Sequence, residues 1–200
     1  MLAHLPMPSV NINPMKLATG PWVEGFVLDY HTISSTPTGD PYYRFDTRRT
    51  DLGELLYQLK YRAGGAVPVA DIVDTADQFL QKWRPPIDSV SVVPASQSRR
   101  VQPAVEIARA LAVRLTLPLC ENAVVKIKPT PQMKNIEDWA ERQKVLAEAV
   151  QAGPDDVRAR TVLLFDDLIQ SGATLRRSAK VLIDDGGAAS VYALVLTRTK

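Results

Sequence analysis

One segment constrains this chain more than any other. From Val162 the sequence runs Val-Leu-Leu-Phe, then Asp166-Asp167, then Leu168-Ile169-Gln170-Ser171-Gly172-Ala173-Thr174. The apolar run from Thr161 to Phe165 is too short for a buried helix and too continuous for a half-exposed strand. It predicts a strand buried on both faces, and such strands belong to parallel sheets covered by helices. After the turn, Leu175, Ala179, Leu182 and Ile183 recur at helical spacing, and Gly186-Gly187 closes that helix. A strand thus delivers two adjacent carboxylates to a hydroxyl-and-glycine turn at the head of a helix.

The rest of the chain repeats this alternation. Ser89–Pro94 and Val191–Leu196 are apolar, β-branched runs that predict buried strands, and Ala123–Ile127 predicts another. Val69 to Trp83 fits a helix ended by Pro85-Pro86. Val101, Val105, Ala108, Ala112 and Leu115 mark a second helix, and Ile136, Trp139, Ala140, Leu146 and Ala149 a third. Asp51 with Glu54 reads as a capping box opening a helix to about Arg62, with Leu52, Leu55, Leu56 and Leu59 as its apolar stripe and Gly64-Gly65 as its stop. Trp22–Tyr30 and Tyr42–Asp46 read as a hairpin with a long loop over Ser34–Asp40. Residues 1–21, with Pro6, Pro8, Pro14 and Pro21, read as an extended lead-in. The expectation is an α/β fold with a central, mostly parallel sheet and helices on both faces. Residues 22–200 would form a single domain, with a small N-terminal hood at 22–62 and a core at 68–200. In such sheets ligands sit at the carboxyl ends of strands, so chemistry is sought after Phe165, Val93 and Ile127.

Two hundred residues suit one sizeable domain. The single cysteine, Cys120, excludes a disulfide framework and a cysteine-rich zinc site within the chain, and the two histidines, His4 and His31, form no metal motif. A net charge of +2 gives composition no argument for nucleic acid, so any anion site must be local. No signal peptide or membrane span is legible, and the expectation is a cytoplasmic protein with no membrane partner.

Each part of the Asp166–Thr174 segment has a physical use. Gly172 lets the backbone approach an anion closely, and the first N–H groups of the following helix are open donors at its positive end. Ser171 and Thr174 add hydroxyls. Asp166 and Asp167 can accept hydrogen bonds from two adjacent hydroxyls. The ligand this suits is phosphate at one end and polyol at the other. Two solvated aspartates and a helix start are the plain alternative, as is a phosphoryl-accepting acid pair.

The thirteen residues resemble the phosphoribosyl diphosphate (PRPP) signature of type I phosphoribosyltransferases, with Gln170 and Ser171 where two threonines are commonest. A broader resemblance covers about residues 52–199. The order Leu59-Lys60-Tyr61-Arg62, Val93-Pro94 with Arg99-Arg100, Pro131-Gln132, Arg142 and the acidic segment is similar to the ComF family of competence-associated phosphoribosyltransferase-like proteins. The cysteine zinc ribbon that usually opens that family is absent here, and Ser96-Gln97-Ser98 thins its arginine-rich stretch.

The resemblance implies the type I phosphoribosyltransferase fold and transfer of the 5-phosphoribosyl group from PRPP to a nitrogen nucleophile, with release of diphosphate. Asp166 and Asp167 would hold the ribose hydroxyls, and the stretch Leu168, Ile169, Gln170, Ser171, Gly172, Ala173 and Thr174 would wrap the 5′-phosphate. Ala95, Ser96, Arg99 and Arg100 would form the diphosphate loop. Lys126 or Lys128, in the basic segment Lys126–Asn135, would stabilise the departing diphosphate; an exposed basic linker is the equal alternative there. Mg²⁺ would be bound chiefly through PRPP itself. No motif names the acceptor. A non-catalytic PRPP or nucleotide sensor of the same fold, with a DNA-uptake connection, is the alternative, and a homodimer is open. Lys60, Tyr61 and Arg62 read chiefly as a structural helix C-terminus, where the dipole favours the two cations, with a place near the diphosphate or under the acceptor-selecting hood as the alternative. Trp22, Trp83 and Trp139 read as packing residues, and Thr197-Arg198-Thr199 as a strand end that could border the site.

Overall fold

A computed structural model of the chain describes residues 10–40, 42, 44–61, 66–95, 102–129, 136 and 138–200. Its centre is the strand that the apolar run predicts, here β9 (Thr161–Ile169), and it extends four residues further than expected. Val162, Leu163, Leu164 and Phe165 have no exposed surface. Each such side chain contributes about 1.5–3 kcal/mol by leaving water, so the strand must lie between two covered faces.

Around it lies a six-stranded sheet in the order β1 (Met15–Lys16), β2 (Glu24–Tyr30), β10 (Ser190–Arg198), β9, β5 (Ser89–Val92) and β6 (Leu119–Cys120). All neighbours are parallel except β1, which runs antiparallel to β2. β10 registers Ser190 on Thr161 and Arg198 on Ile169, and β5 registers Ser89 on Val162 and Val92 on Phe165.

The period-two alternation splits the core. Leu163, Phe165, Leu194, Leu196, Val90 and Val92 face helices α1 (Asp51–Tyr61), α2 (Ala66–Trp83) and α3 (Pro103–Leu115). Val162, Leu164, Val191, Ala193 and Val195 face α5 (Ala173–Asp184), backed by Leu146 of α4 (Trp139–Ala149). This is the expected α/β architecture, with helices on both faces of a mostly parallel sheet.

Several local expectations change. Trp22–Tyr30 does not pair with Tyr42–Asp46. Glu24–Tyr30 joins the main sheet beside β10, because Val27 and Leu28 are both fully buried and need cover on two faces. The hairpin is instead β3 (Thr32–Pro37) with β4 (Phe45–Arg49), an antiparallel pair of mostly exposed residues. Helix α1 is capped one residue earlier than the capping box implies. The Thr50 hydroxyl oxygen accepts from the Gly53 N–H at 3.0 Å and donates to the Tyr30 carbonyl at 2.6 Å. Gly53 is needed there, since a Cβ would stand within van der Waals overlap of the His31 carbonyl. The strand near Ala123–Ile127 is real but shorter. As β7 (Val124–Lys126) it pairs with β8 (Val150–Ala152) in a separate ribbon, and Leu119–Cys120 takes the edge of the main sheet. Gly64-Gly65 lies outside the described residues. No helix among the described residues is long and apolar enough to cross a membrane.

Candidate functional site

β5 and β9 lie side by side, yet the helices that follow them leave to opposite faces, α3 to one and α5 to the other. Such a switch point opens a crevice at the carboxyl ends of the strands. Here it is deepened by unequal lengths. β5 ends at Val92, with the Val93 N–H still bonded to the Phe165 carbonyl at 2.9 Å, while β9 continues to Ile169. Asp166 and Asp167 therefore lie just past the last residue that β5 can cover. The cleft is lined by both aspartates, Leu168, Thr174, the chain turning away from β5 (Val93, Pro94, Ala95), the start of α3 (Gln102, Pro103, Ala104), and Lys60.

Two helix N-termini reach this cleft, and neither is capped by the side chain of its N-cap residue. α3 starts after Gln102 with Pro103 in its first turn, and α5 starts after Gly172. The open N–H groups and the positive end of each helix favour anionic oxygens. Gly172 sits at φ +72°, and a Cβ built there would meet nothing within 4 Å. The glycine thus serves the turn, and the space in front of it is open. Ser171 is exposed, and its Oγ accepts a long bond from the Ala173 N–H at 3.4 Å.

Electrostatically the acid pair is unequal. The Lys60 ammonium lies 2.6 Å from Asp167 Oδ2, with both side chains largely covered. The Asp167 N–H donates to Asp166 Oδ1 at 2.9 Å. Burial, and then the neighbouring Asp167 charge, hold the Asp166 carboxyl well above the usual carboxylate range, with Lys60 working in the other direction. The Thr197 hydroxyl donates to the Asp167 carbonyl at 3.2 Å, which leaves His31 Nδ1, 3.2 Å from Thr197 Oγ1, to donate to that oxygen. Burial pushes the His31 imidazole down, and the charges of Lys60 and Arg49 push it the same way.

The sequence-predicted residues divide accordingly. Asp166, Asp167, Leu168 and Thr174 come together with Ala95 at the cleft. Ile169 and Ala173 are buried, and Gln170 and Ser171 are exposed at the turn. Lys126 and Lys128 do not line the cleft. Lys126 is half-buried in the β7–β8 ribbon, where burial pushes its ammonium down, and Lys128 pairs with Glu148 at 2.8 Å. Ser96, Arg99, Arg100, Arg62, Pro131 and Gln132 lie outside the described residues. Thr197 does border the site, through the Asp167 backbone. Trp83 packs in an aromatic group with Phe26, Phe79 and Tyr192, and its indole donates to Glu24 at 2.6 Å.

Sequence reasoning preferred a helix-end role for Lys60 over a place near the site, and did not join it to the acid pair. The signal was present. Leu52, Leu56 and Lys60 fall at i, i+4 and i+8, so the lysine continues a stripe whose leucines are fully buried. A charge at such a position needs a buried partner.

No protein-family model matches the sequence, and no curated protein matches it. Among solved structures, the chain is similar to a hypoxanthine phosphoribosyltransferase from Staphylococcus aureus, at 16% identity over 65% of this chain and 62% of that one, with a TM-score of 0.40. It is similar to adenine phosphoribosyltransferase from Thermoanaerobacter pseudethanolicus at 16% identity, over 83% of each chain, with a TM-score of 0.48. It is also similar to adenine phosphoribosyltransferase from Leishmania tarentolae at 12% identity, over 92% of this chain and 94% of that one, with a TM-score of 0.47.

Proposed function

We propose that the protein binds PRPP in the cleft between β5 and β9 and transfers its 5-phosphoribosyl group to a nitrogen nucleophile, releasing diphosphate. One observation carries this reading: an acid pair stands between two helix N-termini that their N-cap side chains leave uncapped. A ligand with adjacent hydroxyls in its middle and phosphates at both ends is complementary to that arrangement, and PRPP is such a molecule. The identical segment order in the sequence, strand then acid pair then glycine turn then helix, supports the same ligand.

The 5′-phosphate is assigned to the turn Gln170–Thr174, where the open space at Gly172 lets backbone N–H groups reach it. Asp166 and Asp167 are assigned to the ribose hydroxyls. Their negative charge also favours the cationic sugar that forms as the C1–O bond to diphosphate breaks. The electron pair leaves with diphosphate, the nitrogen's lone pair forms the new C1–N bond, and the nitrogen gives up a proton. Diphosphate is assigned to the backbone near Ala95 and the head of α3. Ser96, Arg99 and Arg100 belong to the same stretch of chain. The cleft also fits a Mg²⁺ carried mainly on the ligand's own oxygens. Its two carboxylates are few for a bare ion, and one of them is held by Lys60. Bound that way, the ion would neutralise diphosphate charge. The finer resemblance to the ComF family rests on the order of Leu59-Lys60-Tyr61-Arg62, Val93-Pro94 with Arg99-Arg100, Pro131-Gln132, Arg142 and the acidic segment.

The test is calorimetric titration with PRPP and Mg²⁺, followed by a diphosphate-release assay across nucleobases and ammonia. Binding with release for one acceptor is the expected result. Binding with no release for any of them would leave a PRPP-responsive binding protein. Absence of binding would remove the reading.

A further inference from the structure

Among the described residues the acid pair has one internal cation, Lys60, far from it in sequence. Lys60 stands in the last turn of α1, on the stripe of Leu52 and Leu56. Its side chain and that of Asp167 are 13% and 16% exposed, so the pair is shielded from bulk water far more than a surface salt bridge. Asp167 is held from two other parts of the chain. Lys60 takes Oδ2, and the Thr197 hydroxyl takes the backbone carbonyl. Beside it, the Asp166 side chain hydrogen-bonds to the Asp167 side chain, so the two acids and Lys60 form one linked group.

We propose that Lys60 is the positioning residue of this site, holding the Asp167 carboxylate through Oδ2 in the orientation in which it receives a ligand hydroxyl. The inference deepens the PRPP reading and rests on it for the identity of the ligand. Among the described residues, charged and titratable groups facing the acid pair come from three places: Asp166 and Asp167 on β9, Lys60 on α1, and His31 after β2, with Arg49 of β4 beyond it. The residues that α3 and α5 bring to the cleft (Gln102, Pro103, Ala104 and Thr174) are uncharged. Lys60 is thus the cation among the described residues that bears directly on both acids. Without it, the Asp166 carboxyl would lose a charge that favours its ionised form.

Three proteins test this: wild type, Lys60→Met, which keeps the length of the side chain, and Lys60→Arg, which keeps the charge. First, carboxyl-carbon NMR follows titration of Asp166 in the ligand-free proteins. The Met variant should titrate at higher pH than wild type, and the Arg variant should return towards it. A merely structural lysine would change thermal stability but not this titration, and an unmoved titration would overturn the proposal. Second, calorimetry compares PRPP with inorganic phosphate. The Met variant should lose about tenfold or more in PRPP affinity, the size of one hydrogen bond to a charged group, while phosphate binding stays unchanged. Equal losses for both ligands, or none for PRPP, would also overturn it. If wild type fails to bind PRPP, the ligand assignment falls, and the NMR titration alone decides the role of Lys60.

Discussion

Gly172 separates folding from binding more cleanly than any other position. Its φ of +72° places it in the left-handed region, and a Cβ there would touch nothing within 4 Å. Replacement by alanine therefore creates no clash inside the protein. The folding cost is confined to backbone strain, about 1–2 kcal/mol for an L-residue held in that region. At about 2–4 °C per kcal/mol for a domain of this size, the melting temperature should fall by several degrees. Asparagine tolerates the same conformation better and should cost less. Binding should respond differently. If a phosphate packs against the head of α5, both side chains occupy its approach and cut its contact with the turn. Loss of two hydrogen bonds to a charged group, at about 1.5–3 kcal/mol each, corresponds to at least about a hundredfold in Kd. The assay is calorimetry with PRPP and with ribose 5-phosphate on Gly172→Ala and Gly172→Asn, alongside thermal melts. Weak binding by both variants, with the asparagine protein nearly as stable as wild type, supports close approach at Gly172. An asparagine variant that binds like wild type would refute it, since the open space would then not be where the phosphate sits.

Asp166 makes a prediction about pH. Its folded carboxyl keeps its proton well above the ordinary value of 3.8, so as pH rises the unfolded chain releases that proton first. The folded state then binds more protons, and stability declines as pH climbs from the ordinary value through the raised one. Asp166→Asn should melt higher than wild type at neutral pH, with the advantage vanishing near the bottom of that window; melting temperatures that differ by a constant amount at every pH would contradict the assignment. Thr50→Ala removes both the cap bond to Gly53 and the donor to the Tyr30 carbonyl, and should cost about 1–2 kcal/mol. The readout is a lower urea midpoint at unchanged m-value, and an unchanged midpoint would show that water replaces both bonds.

The order and type of the main elements were legible because burial writes a strong pattern. β9, β5 and β10 carry consecutive apolar residues, and α2, α3 and α5 carry clear helical periods. The partnership of β2 was not legible. Trp22–Tyr30 followed by a Ser, Thr, Pro and Gly stretch has the local look of a hairpin, and only the distant β10, paired in parallel through Tyr192 on Glu24, overrides it. β6 and β8, at two and three residues, are too short to leave a period. The same division holds at the site. Asp166–Thr174 is contiguous and could be read directly. Lys60, His31 and Thr197 meet it from other parts of the chain, and no spacing rule joins them.

The place of β10 in the sheet has a kinetic consequence. It lies between β2 and β9, so the N-terminal strand and the acid-bearing strand cannot take their final positions until this late segment inserts between them. A chain growing on the ribosome can assemble β5, α3 and β9 early, since these pairings do not need β10, but it cannot complete the parallel β2–β10 register. Non-local parallel pairing of this kind closes a long loop before any contact rewards it, and it is slow. β10 thus brings β2 and the Lys60-bearing α1 up to a cleft whose β5 and β9 walls can already be paired. Full-affinity ligand binding during refolding should appear with the slowest phase, which makes the completed site a reporter of topology rather than of collapse.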